Sequence, residues 1–189
     1  MKNQKRNIVV VITLALVIVC GMIIFNNKPN ENTVKNNIET TSTSTASVMI
    51  EQANKMAQAL ISKDYEKFSE FAYPKIVSAL GGKDKFIQIM KDAVSKDTIL
   101  SKVIFSEPTK IVDTGTELQS VLPQTLEIKI PTGLLVSQGA LIAISPDKGK
   151  TWYFIDTGGN NLDRIRMQLP NISTDLIIPV IKEPVLLKN

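Results

Sequence analysis

The chain contains no histidine. That excludes Ser-His-Asp and Cys-His nucleophilic machinery, histidine general bases and histidine metal sites. Its single cysteine is Cys20. No intramolecular disulfide can form, so an exported domain must stand on its core alone. Zinc lacks its usual ligands once histidine and any cysteine beyond residue 20 are missing. Aromatic residues make up 5% of the chain, and no basic stripe or aromatic–basic interleaving suggests nucleic acid. Gly81-Gly82 and Gly158-Gly159 lack the spacing of phosphate loops. There is no repeat of about 20–50 residues. No catalytic residue, cofactor or metal-ligand set follows from these residues.

What is present begins at the amino end. Lys2, Lys5 and Arg6 precede an uncharged apolar run from Ile8 to Phe25, which Asn26 and Asn27 end. As a helix this run would reach about 27 Å at roughly 1.5 Å per residue, close to the roughly 30 Å hydrocarbon core of a bilayer. Basic residues before the run and none directly after it predict a cytoplasmic amino end and an extracytoplasmic domain. A retained signal anchor over residues 1–25 fits best. A cleaved secretory signal and a lipoprotein modified at Cys20 are the alternatives. Val19 before Cys20 and the apolar residues after it argue against lipidation.

Residues 26–45 form a linker rich in Asn, Thr and Ser that cannot bury a core. Residues 46–189 then read as one domain, with a core over 46–156 and a C-terminal extension over 157–189. The net charge of +4 belongs mostly to the amino end, since residues 46–189 carry 17 basic against 16 acidic residues.

The domain divides into a helical half and a strand half. Met49, Ala53, Met56, Ala57, Leu60 and Ile61 follow helical spacing and predict a helix from about Ala46 to Ser62. Asp64 caps a short second helix carrying Tyr65, Phe68 and Phe71. Pro74 opens a third, which Gly81-Gly82 stops. A fourth, from Lys83 to about Ser95, buries Phe86, Ile89, Met90 and Ala93. After Asp97 the period becomes two. Strands are predicted over Ile99–Ser106, Lys110–Val112, Leu118–Ile130, Leu134–Ile144 and Thr151–Asp156. Pro123 within the third suggests a bulge or an edge. Helices first and strands after imply an α+β class, with N-terminal helices packed on a curved antiparallel sheet. Leu162–Leu169 reads as a short helix. The apolar residues Leu176 to Ile181 are expected to pack back on the domain.

Ser145-Pro-Asp-Lys-Gly-Lys-Thr-Trp152 matches the Asp-box pattern, a hairpin turn. Asp147 can bond turn amides, Gly149 permits positive φ, and Trp152 packs beneath. A single copy gives a structural turn, not a propeller. Asp64, Glu66 and Glu70 read as solvated helix residues. Asp156 and Asp163 flank a Gly-Asn loop that lacks the twelve-residue calcium pattern. Tyr65, Phe68, Tyr73 and Phe86 cluster in the helical half. Core packing accounts for them, and the sharper expectation is that they line a small-molecule pocket between helices and sheet.

The run Lys63-Asp64-Tyr65-Glu66-Lys67-Phe68, then Tyr73-Pro74-Lys75-Ile76-Val77 and Leu80-Gly81-Gly82-Lys83, resembles the helical opening of the nuclear transport factor 2-like (SnoaL-like) superfamily. Lys150-Thr151-Trp152-Tyr153-Phe154 is similar to its closing strands. The resemblance implies a cone-like sheet with a pocket at its open end. It implies a membership that ranges from isomerases, dehydratases and polyketide cyclases to non-catalytic binding and dimerisation domains. Catalytic members commonly use an Asp–His or Tyr–Asp pair. This chain has no histidine, and no catalytic residue is carried over.

The expected function is a membrane-tethered extracytoplasmic binding or interaction domain without catalysis, its partner a small apolar ligand or an envelope protein. The alternatives are a pocket enzyme using a tyrosine and a carboxylate, and a structural dimerisation subunit. Oligomeric state does not follow from the sequence.

Overall fold

The structure, a computed structural model, describes residues 42–94, 97–158 and 162–188. The apolar run from Ile8 to Phe25, with Cys20, lies outside the described residues, as do residues 26–41 of the expected linker. Among the described residues no helix is long and apolar enough to cross a membrane.

Helix α1 (Ser42–Ile61) begins four residues before the expected start at Ala46. Tertiary packing extends it. Thr45 is buried against Gly149, where an added Cβ would come within 2.6 Å of the threonine methyl. The helix ends in a Schellman motif around Lys63, a non-glycine residue at φ 61°. Lys63 N donates to Leu60 O and Asp64 N to Ala59 O. Asp64 then caps α2 (Tyr65–Ser69), its Oδ1 accepting from Lys67 N at 3.0 Å, and Phe71 falls past the end of this helix instead of on it. Pro74 opens α3 (Pro74–Ala79), and Gly81 and Gly82, at φ 94° and 96°, close it. Helix α4 (Lys83–Ala93) buries Phe86, Ile87 and Met90. Ile87, not Ile89, takes the buried place, because the inward stripe follows the i, i+1, i+4 positions from Phe86.

The strands are β1 (Ile99–Phe105), β2 (Val112–Asp113), β3 (Leu118–Ile130), β4 (Gly133–Ser145) and β5 (Tyr153–Asp156). A short helix α5 (Leu162–Gln168) and strand β6 (Val185–Leu187) follow. The molecule is α+β, and all strand pairs in its six-stranded sheet are antiparallel. The long β3–β4 hairpin forms the spine, paired without interruption from Leu118↔Ser145 to Ile130↔Gly133. Shorter strands cover its outer edges end to end, β1 and β2 along β3, and β6 and β5 along β4.

Pro123 is neither at a bulge nor on an outer strand. The irregularity falls between Leu100 and Lys102 instead. Pro123 O accepts from Ser106 N at 3.0 Å, so the backbone of Pro123 faces the β1–β2 side. Its missing N–H therefore falls where β1 has ended and β2 has not begun, and pairing with Ala140 of β4 is kept.

Both faces of the sheet are covered. On one, Leu122, Leu141, Ala143 and Phe154 meet α1, α2 and α4 through Met56, Phe68, Phe86 and Met90. On the other, Val121, Ile142, Ile144 and Ile155 meet Tyr73, Ile76 and the C-terminal extension through Ile165, Leu169, Ile172 and Leu176. This is why β4 is buried without alternation from Ala140 to Ser145. The extension packs back, but not as one apolar run. Leu176 is buried, Ile177 and Val180 are exposed, and the strand that joins β4 is Val185–Leu187.

A polar cluster pins the extension to the sheet. Tyr73 Oη donates to Glu117 Oε1 at 2.8 Å, and Asn171 Nδ2 donates to Glu117 Oε2 at 2.9 Å. Gln119 Nε2 donates to Asn171 O at 2.9 Å while its Oε1 accepts from Ser173 N at 2.8 Å. Burial pushes the Tyr73 hydroxyl above its ordinary range, and Glu117 adds to that against the pull of Lys75 and Asn171.

Candidate functional site

Between the helices and the sheet lies a cavity of about 130 Å³. Its walls come from α1 (Met56, Ala57, Leu60), α2 (Tyr65, Phe68), α4 (Phe86, Met90), β1 (Leu100, Val103) and the sheet floor (Leu126, Leu141, Phe154). Phe68 and Phe86 stack with ring centroids 6.1 Å apart and planes 10° from parallel. That pair braces α2 against α4. Space remains because small residues sit in the wall: Ala57, Ala72 and Ala93 all line it. Lys63 and Ile99, both exposed, mark its mouth.

The inner polar pole is Asp156, the last residue of β5. Its Oδ1 accepts from Gly158 N at 2.6 Å and its Oδ2 from Gln124 Nε2 at 2.9 Å. Burial pushes this carboxyl above the ordinary aspartate range, with the hydrogen bonds from Gly158 and Gln124 opposing the rise. Gln124 stands on β3 and Asp156 on β5, so Gln124 must reach across the intervening strand. It crosses at Gly139, its partner on β4. A Cβ at Gly139 would lie 3.4 Å from Gln124 Nε2. The glycine leaves the trough along which the amide lies.

Tyr65, Phe68, Tyr73 and Phe86 all line the cavity. Burial pushes the Tyr65 hydroxyl up, and the group has no hydrogen-bond partner among the described residues. Asp156 and Gln124 were not expected as its polar pole. One local signal existed: Gly139 lies inside a strand, and glycine there marks a close approach.

The Asp-box residues lie elsewhere, at the far end of the β4–β5 connection. Asp147 Oδ1 accepts from Ser145 Oγ at 2.9 Å and Thr151 N at 2.8 Å. Burial would raise Asp147, but these bonds outweigh it and hold the carboxyl below its ordinary value. Gly149 stands at φ 91°, and Trp152, fully buried, donates from Nε1 to Gly149 O at 3.2 Å. Helix α1 clamps the loop. Gln52 Nε2 donates to Lys150 O at 2.8 Å and Gln52 Oε1 accepts from Trp152 N at 2.7 Å.

Glu66 and Glu70 are exposed and paired with Lys83 and Lys67. Asp163 pairs with Arg166 at 3.1 Å. Among the described residues no three His, Cys, Asp or Glu side chains gather as metal ligands would.

No family model matches this chain, and no curated protein matches it.

Proposed function

We propose that this chain is a membrane-tethered, extracytoplasmic domain that binds a small, largely apolar molecule carrying one polar group. The cavity carries this reading: apolar walls line about 130 Å³, with Asp156 and Gln124 at one pole. A space of that size resembles the cavity of roughly 150 Å³ that accepts benzene in an engineered protein. Few polar groups in an apolar pocket orient a ligand and leave burial to supply affinity. The tether belongs to the same proposal and rests on the basic residues before Ile8–Phe25. So does membership of the nuclear transport factor 2-like superfamily, whose cone places a pocket between helices and sheet. The helices-then-strands order supports it.

The test is calorimetric titration of the full-length protein with toluene, phenol and cyclohexanone. Saturable one-to-one binding is the expected outcome. Absence of binding by all three would remove the reading.

One observation favours a second reading, a pocket enzyme. A carboxyl held toward its protonated form and a tyrosine hydroxyl, Tyr65, lining the same cavity are groups that proton transfer could use. Turnover of ketosteroid, polyketide or ester substrates that stops in Asp156→Asn would favour it over binding alone.

A further inference from the structure

We infer that the cavity is selective for a small organic ammonium, an apolar amine whose N–H donors are taken by Asp156 and Gln124. The inference rests on the binding reading above and names the chemistry of the ligand's polar end.

The first argument is a count of donors and acceptors at the inner pole. The two donors that reach Asp156 there, Gly158 N and Gln124 Nε2, are spent on its carboxylate. What is left over is mostly acceptor capacity. Each carboxylate oxygen has taken one protein hydrogen bond and can accept another. Gln124 Oε1 has no protein partner among the described residues, and it is not a sealed buried atom. Gln124 Nε2 keeps one N–H beyond the one given to Asp156, but the open acceptor sites on Asp156 and Gln124 outnumber it, and an ammonium brings up to three N–H groups to fill them.

The second argument is charge. Asp156 has no cation within ion-pair distance among the described residues. A buried carboxylate without a counter-charge is costly, and a cation that enters the cavity removes that cost. The other titratable side chains lining the cavity are Lys63, Tyr65 and Tyr73. Lys63 is exposed at the mouth, where water screens it. The tyrosines stay neutral, since burial pushes both hydroxyls up. Asp156 is thus the one carboxyl among the lining groups.

The third argument is the wall. Tyr65, Phe68 and Phe86 line the same space, and Tyr73 borders it with its ring faced by Lys75 and its hydroxyl given to Glu117. Aromatic faces attract organic cations and also pack hydrocarbon. The volume admits about one six-membered ring with a short arm.

Binding an amine in its ammonium form fixes Asp156 as the carboxylate. Where the empty site holds the carboxyl protonated, its proton is released to solvent as the amine enters. No other bond changes. The amine's affinity therefore falls as pH drops through the titration of Asp156, approaching tenfold per pH unit, whereas a neutral isostere shows no such slope.

The experiment titrates full-length protein with benzylamine and with benzyl alcohol from pH 5 to pH 8, in two buffers of different ionisation enthalpy. The expected result is benzylamine binding at least about tenfold more tightly than benzyl alcohol at pH 8, with an advantage that shrinks as the pH falls. In Asp156→Asn the two ligands should bind alike. If that variant does not fold, the pH series on the wild-type protein decides by itself. Benzyl alcohol bound at every pH, with benzylamine no tighter, overturns the ammonium inference and leaves the binding reading standing. Failure of both ligands and of toluene removes the binding reading, and this inference with it.

Discussion

On the helical face of the sheet, Leu122, Leu141 and Phe154 meet Phe68, Phe86 and Met90 around open space. On the opposite face, Val121, Ile142, Ile144 and Ile155 meet Ile165, Leu169, Ile172 and Leu176, and a polar cluster fastens the cover. The two faces use similar side chains on the same strands. The covers differ. Helices carry large rings that hold them off the sheet, and alanines at 57, 72 and 93 leave gaps between those rings. The C-terminal extension lies along the sheet and drops single side chains onto it. The polar groups differ in the same sense. Glu117 is met by Tyr73, Asn171 and Gln119, whereas Asp156 is met by one amide and one backbone N–H and borders the cavity. One face is filled, and the other leaves a cavity.

The largest expected effect sharpens that contrast. Ile142 is fully buried on the extension side and Met90 nearly so on the cavity side. Ile142→Ala should cost about 4 kcal/mol, because it opens a void in a filled layer. Met90→Ala should cost about 2 kcal/mol, because its side chain already borders open space. Denaturant unfolding of both measures the difference. Equal costs would mean that the two faces are packed alike.

Next in size is the polar fastening. Glu117→Ala leaves Tyr73 Oη, Asn171 Nδ2 and Gln119 Nε2 without their shared acceptor. A loss of about 2–3 kcal/mol should follow, with faster protease cleavage between residues 170 and 184. Unchanged cleavage would show that apolar contacts alone hold the extension.

Asp156 should behave in the opposite way, because its burial is a cost. Its folded pKa is raised above the unfolded value. The stability linked to its protonation is therefore present below the unfolded pKa, near 3.9, and is lost as pH rises through the folded pKa. Asp156→Asn should match the wild type below about pH 4 and exceed it at pH 8. The gain is about 1.4 kcal/mol for each unit by which the pKa is raised. Melting curves at the two pH values check this, and a variant less stable at pH 8 would contradict it.

The smallest expected change in stability is at Ala57. Ala57→Leu places a larger apolar side chain in the cavity wall and should alter stability by no more than about 1 kcal/mol, since it fills space instead of displacing atoms. Ligand binding should nevertheless be lost. Retained binding would place the ligand elsewhere.

Much of the architecture was local and therefore legible. Helical spacing from Met49 to Ile61 gave α1, Gly81-Gly82 gave the break before α4, and Leu118–Ile130 matched β3 residue for residue. The start of α1 was not legible, because Thr45 is held by Gly149, far along the chain. The unbroken burial of β4 from Ala140 to Ser145 depends on a cover from residues 165–176, which no local pattern of β4 contains. The rings of the candidate site were visible as a cluster. Its polar pole was not, since Gln124 and Asp156 are 32 residues apart and meet only because Gly139 lies between them in the folded sheet.

The central claim is that the helical face holds a ligand and the extension face does not. Methyl resonances of methionine in the full-length protein report on it directly, followed during a toluene titration. Met56 and Met90 line the cavity, Met49 is buried in the same core away from the lining, and Met167 is exposed on α5. The account predicts saturable shifts of Met56 and Met90 that exceed those of Met49, with Met167 unmoved. Shifts confined to Met167, or no saturable shift at any methionine, would contradict it.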